Sequence, residues 1–96
     1  MDVEFTGEII SWRGPPPYHF VPVPEEQSAA IEHVAPMITY GWGVIPATVR
    51  IGQTEFTTAL FPNGSGGYLV PVKAAVRRAE DLELGDVVAV RLHLDV

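Results

Sequence analysis

No cysteine occurs in the chain. That absence excludes a disulfide framework, a thiolate nucleophile and any cysteine-based zinc or iron–sulfur site. Basic residues are scarce, with 6 Lys and Arg against 12 Asp and Glu and a formal net charge of −6. Nucleic-acid binding draws its affinity from clustered cations that release phosphate counterions, so no nucleic-acid partner is expected. No apolar run approaches the roughly 18 residues that a membrane span needs, so no membrane partner is expected either. The opening residues, MDVEF, carry acid where a secretory signal carries Lys or Arg, which points to a cytoplasmic address.

What is present suits a small globular domain. Hydrophobic residues make up 47% of the 96 positions and charged residues 19%, enough to bury a core and to exclude disorder. One domain over residues 1–96 is expected. Nine Gly and nine Pro interrupt regular structure often, which favours many short strands over a helical bundle.

Along the chain, Val3, Phe5, Gly7 and Ile9 alternate with Glu4, Thr6 and Glu8, which predicts a strand from Val3 to Trp12. Arg13-Gly14-Pro15-Pro16-Pro17 must be a loop, because three successive prolines donate no backbone hydrogen bonds. Tyr18 to Val23 reads as a second strand with Pro22 at an edge or end. Pro24-Glu25-Glu26 starts a helix with the apolar stripe Ala30, Ile31, Val34 and Ala35, and Pro36 is expected to end it. Met37 to Gly43 reads as irregular. Val44 to Ile51 and Thr54 to Phe61 form a hairpin about Gly52-Gln53. After the Gly-rich loop 62–67 come a strand from Tyr68 to Val72, a brief helix from Lys73 to about Glu80, and a strand from Val87 to Asp95.

The chain also repeats itself. Glu4-Phe5-Thr6 recurs as Glu55-Phe56-Thr57, Phe20-Val21-Pro22-Val23 as Leu69-Val70-Pro71-Val72, and Val49-Arg50-Ile51 as Val90-Arg91-Leu92, in the same order. Each half, approximately 3–51 and 54–95, reads strand, Gly/Pro loop, strand, helix, strand. Two such units joined about a pseudo-twofold axis predict a mostly β, closed six-stranded barrel, double-psi-like, with two short helices.

The second half carries a family resemblance. Ile45-Pro46-Ala47-Thr48-Val49, Thr57-Thr58-Ala59-Leu60, Tyr68-Leu69-Val70-Pro71-Val72, Val76-Arg77-Arg78-Ala79 and Leu84-Gly85-Asp86-Val87-Val88 together resemble the bacterial domain-of-unknown-function family numbered 1905. The first half joins the resemblance through Phe5, Gly7 and Val21-Pro22-Val23. The resemblance implies a small closed β-barrel and no known reaction. Members are sometimes fused to a segment described as bacteriocin-protection or outer-membrane-protein-associated, and no such segment is expected in these 96 residues. Thr39-Tyr40-Gly41-Trp42-Gly43 departs from the more basic approach common in the family, so no basic role transfers to it.

Lys73 and Arg77 stand four apart on the second helix and predict an anion-binding face, helped by the Ser65-Gly66-Gly67 loop. The plainer alternative is a solvated face paired with Glu80 and Asp81. Tyr40 and Trp42, the latter between two glycines, can stack on a ligand at the barrel rim, although core plugs or loop anchors are the commoner use of such rings. His19, His33 and His93 lack the spacing of a metal motif, and no metal or cofactor is expected. Ser65 has the wrong register for a nucleophile elbow. The expected function is therefore a non-catalytic binding module for a small anionic ligand or a protein partner, with a homodimer allowed. Its ligand residues are Tyr40, Trp42, Lys73 and Arg77. The alternatives are a hydrolytic or isomerising enzyme built on His19 and Asp86, or an oligomeric interaction domain that buries Trp12 or Trp42.

Overall fold

The computed structural model describes residues 1–12, 18–38 and 44–96. Seven strands and two helices follow in the order β1 (Asp2–Glu8), β2 (Ile10–Trp12), β3 (Tyr18–Pro22), α1 (Glu25–Ile38), β4 (Ile45–Ile51), β5 (Thr54–Pro62), β6 (Tyr68–Pro71), α2 (Ala74–Glu80) and β7 (Val87–His93). The strands form one sheet of order β1-β7-β4-β5-β6-β3-β2, with every pairing antiparallel.

The first and last strands of that order are separated in the chain by Ile9 alone. β1 pairs with β7 on one side, and one residue later β2 pairs with β3 on the other. The chain bend at Ile9 therefore draws the two ends of the sheet together into a nearly closed barrel, which leaves few free strand edges. Ile9 donates its N–H to the Asp86 carbonyl and accepts from Gly85 N–H, each at 2.9 Å, so the bend is tied to the turn before β7. This bend is why seven strands replace the expected six. The continuous apolar alternation from Val3 to Ile9 carries no mark of it.

Side chains follow the pleat. In β7, Val88, Val90 and Leu92 are buried while Val87, Ala89, Arg91 and His93 are exposed, and in β4 Ile45, Ala47, Val49 and Ile51 point inward. They meet Val3, Phe5, Val21, Leu60 and Val70 in one core. α1 covers that core with Ile31 and Ala35, one turn apart, and Val34 packs at its margin. Pro36 does not end α1: it removes one hydrogen-bond donor within the last turns, and the helix runs on through Ile38. α2 starts at Ala74 with Lys73 as an extended N-cap, and Asp81, in the left-handed conformation, closes it by donating to the Arg78 carbonyl.

Glu80 locks α2 onto the β4–β5 hairpin. Its Oε2 accepts from Thr54 Oγ1 at 2.6 Å and from Gln53 N–H at 3.3 Å. Gly52, at φ +61°, has the left-handed backbone that a tight turn needs, and Glu80 fills the space a side chain there would take.

Candidate functional site

His19 and Arg77 come together where β3, β6 and α2 meet. Val72, just before α2, donates its N–H to the His19 carbonyl at 2.8 Å, which fastens the approach to the helix against β3. Arg77, in the first full turn of α2, reaches back so that its Nη1 donates to the Val72 carbonyl at 3.1 Å. The guanidinium is thereby fixed by one donor and keeps the others for further partners. His19 lies in its field. Burial, and then the Arg77 charge, hold the imidazole below its ordinary pKa of 6.5, so the ring is neutral at pH 7. His19 Nδ1 has no access to solvent and no hydrogen-bond partner among the described residues. An unpaired buried nitrogen costs about 1–3 kcal/mol, a cost that an added partner would relieve.

The remaining predicted site residues are placed unevenly. Lys73 is exposed at the N-cap of α2, and its side chain makes no capping bond. Tyr40 and Trp42 lie outside the described residues. The Ser65-Gly66-Gly67 loop, expected beside Lys73 and Arg77, lines a cavity with Glu25, Ser28 and Glu32 of α1. Asn63 sets that loop, its Oδ1 accepting from Ser65 N–H at 2.8 Å and Gly67 N–H at 3.0 Å, a constraint local to the loop that leaves its packing partner unspecified. Nor do Glu80 and Asp81 neutralise the basic face. Among the described residues the ion pair between Arg91 and Glu4, at 2.8 Å, and the His93 Nδ1–Asp2 Oδ1 hydrogen bond, at 2.7 Å, both lie on the exposed face of the sheet. His93 is exposed, as its alternation with Arg91 and Asp95 predicts.

Asp86, the second residue of the enzymatic alternative, has a structural role: its carboxylate accepts from Glu83 N–H at 2.9 Å and closes the turn before β7. No group of His, Asp and Glu side chains is arranged to hold a metal ion among the described residues. Sequence reasoning assigned His19 only to that alternative. Its nearness to Arg77 depends on β3 pairing with β6, a contact between distant parts of the chain that local patterning does not encode.

Near the other helix, the Tyr68 hydroxyl donates to Glu32 Oε2 at 2.5 Å. Burial, and then the Glu32 carboxylate, push its pKa from the ordinary 10 up to about 12. The folded chain thus holds this proton more tightly than the unfolded chain. The resulting stabilisation is complete below pH 10 and is lost as pH rises through about 12. Chemical denaturation at pH 9 and at pH 11 should show the native chain losing more stability across that interval than Tyr68→Phe. Equal losses would contradict the assignment.

No helix among the described residues is long and apolar enough to cross a membrane. Residues 5–92 match the model of a family described as "Domain of unknown function (DUF1905)", and the chain belongs to that family. No curated protein matches the chain.

Proposed function

We propose that this DUF1905 chain is a non-catalytic binding module that takes a small anionic ligand at the α2 end of its barrel, through Arg77 and Lys73. The observation that carries this reading is the His19 Nδ1 atom, buried without a partner in the field of the anchored Arg77 guanidinium. An anion that accepts from Arg77 and pairs with protonated His19 satisfies both groups, and charge-assisted hydrogen bonds of this kind are the strong ones. We propose Tyr40 and Trp42 as stacking residues for the same ligand, and a cytoplasmic address for the chain. A thermal-shift screen of phosphorylated and carboxylated metabolites, run on the native chain and on K73A/R77A, tests the assignment. At least one anion should raise the native melting temperature and leave the double variant unmoved. An equal response in the variant, or none in either, overturns it. An acidic patch on a protein, or a second copy of the chain, is the other occupant of this end, and light scattering would separate it from a small molecule.

The barrel itself reads as two copies of one unit about a pseudo-twofold axis, the part of the double-psi-like expectation that the strand registers support. The sequence match that carries Glu4-Phe5-Thr6 onto Glu55-Phe56-Thr57 also carries the pairs Glu4–Arg91 and Phe5–Val90 onto Glu55–Arg50 and Phe56–Val49. It carries Ile10–Phe20 onto Phe61–Leu69, and it relates Phe20–Pro71 to Pro22–Leu69 about the central pair Val21–Val70. The helices agree: Ser28 Oγ donates to the Val23 carbonyl in α1 where Arg77 donates to the Val72 carbonyl in α2. On this reading β1 and β2 together are the counterpart of the single strand β5, and the barrel has six strands in two sets of three.

A further inference from the structure

β3 and β6 pair about Val21 and Val70, and the residues two positions before each, His19 and Tyr68, stand in equivalent places. His19 accepts from Val72 N–H at 2.8 Å and Tyr68 accepts from Val23 N–H at 2.9 Å, in each case just before a helix begins. Their polar side-chain atoms fare differently. Tyr68 donates its hydroxyl to Glu32, the eighth residue of α1. α2 has only seven residues, and its eighth position is the C-cap Asp81, exposed and turned into the left-handed conformation, whose carboxylate is not bonded to His19. The shorter helix therefore leaves His19 Nδ1 without the carboxylate that its counterpart has. The fourth residue of each helix differs too: Ser28 in α1 and Arg77 in α2, each donating to the carbonyl at the end of the preceding strand segment. A cation thus stands at the end of the barrel where the carboxylate is missing.

We propose that the anion taken at the α2 end is a carboxylate, a small organic acid whose carboxyl group stands to His19 and Arg77 as the Glu32 carboxylate stands to Tyr68. The inference rests on the anion reading above and narrows it to one class. Arg77 commits Nη1 to the Val72 carbonyl and has no other hydrogen bond among the described residues, so its Nε and Nη2 edge can meet both oxygens of a planar carboxylate. The His19 ring is only partly buried, and a half-turn about its Cβ–Cγ bond exchanges the two ring edges and turns Nδ1 to the ligand. One guanidinium at the contact balances one negative charge. A phosphate or sulfate dianion brings a second charge and further oxygens that these two side chains leave unpaired, at a cost in desolvation.

The test is an amide NMR titration of the full chain with acetate, methyl phosphate and sulfate at pH 7 and matched ionic strength. Acetate should give saturable shifts at His19 and residues 72–78, with an affinity about tenfold above that of either tetrahedral anion, the effect of one charged hydrogen bond. His19→Phe should weaken acetate about tenfold and bring it level with the other two. Arg77→Gln, which can still donate to the Val72 carbonyl, should weaken all three. The ranking of the anions is read on the native chain, so it does not depend on either variant folding. Equal affinities, or a tetrahedral anion bound more tightly, with the response lost in Arg77→Gln, would overturn the carboxylate class and leave the anion site standing. An acetate preference that survives His19→Phe would also overturn it. No saturable response to any of the three would overturn both readings.

Discussion

Gly7→Val is expected to destabilise the fold by about 3 kcal/mol, lowering the melting temperature by on the order of 15 °C. Gly7 pairs with Val88 near the end of β1, just before the bend at Ile9 carries the chain across to β3. A Cβ at this position would stand 2.6 Å from Val21 Cγ1 and 3.3 Å from the Pro22 carbonyl oxygen. Val21 is fully buried and Pro22 is fixed in the β3–β6 ladder, so neither can yield without disturbing the closure of the barrel. Thr6→Val, one residue away on the exposed face, serves as the comparison and should change stability by no more than about 0.5 kcal/mol. Melting curves that place the two variants together would mean that β1 and β3 do not approach as described.

Leu92→Ala should cost about 3 to 4 kcal/mol, for a different reason. Leu92 is fully buried on β7, the strand that joins β1 to β4 and so holds one whole side of the barrel. Its partners across the ladders are Val3 and Val49, both buried, and both of their strands are hydrogen-bonded to β7. The cavity left by the deleted atoms would persist because such a wall cannot collapse inward, and the lost transfer energy adds to the cost of the void. His93→Ala, at the next and exposed position, loses only a surface pair with Asp2 and should change stability little. Denaturant unfolding of the two variants measures the difference. A Leu92→Ala variant within about 1 kcal/mol of the native chain would argue against a packed interior at this point.

These two positions mark what the sequence discloses and what it hides. Strict alternation in Val88, Val90 and Leu92 identifies the inward face of β7, because a half-buried strand can solve its burial in only one register. The Gly52-Gln53 turn and the Ile31–Ala35 stripe were legible for similarly local reasons. The split at Ile9 was not, since its hydrogen-bond partners, Gly85 and Asp86, belong to the far end of the chain. Pro36 misled in the opposite direction: a proline near a helix end removes a single donor and need not stop the helix. At the candidate site, composition singled out Arg77 and Lys73 but could not supply their neighbours. The Ser65-Gly66-Gly67 loop packs against α1, and His19 reaches Arg77 only through the β3–β6 pairing.

If an anion binds at the α2 end as proposed, His19 reports it. In the free chain, burial and the Arg77 charge keep the imidazole below its ordinary pKa of 6.5, so its folded form resists protonation and stability falls as pH drops through that value. An anion held by Arg77 reverses the sign of the local field. The most direct measurement is an NMR titration of the His19 ring in chloride and in sulfate at matched ionic strength, repeated on Arg77→Ala. The account predicts a His19 pKa below 6.5 in chloride, a clear rise in sulfate, and no sulfate response once Arg77 is gone. Superimposable titrations in the two salts, or a sulfate response that survives the loss of Arg77, would contradict it.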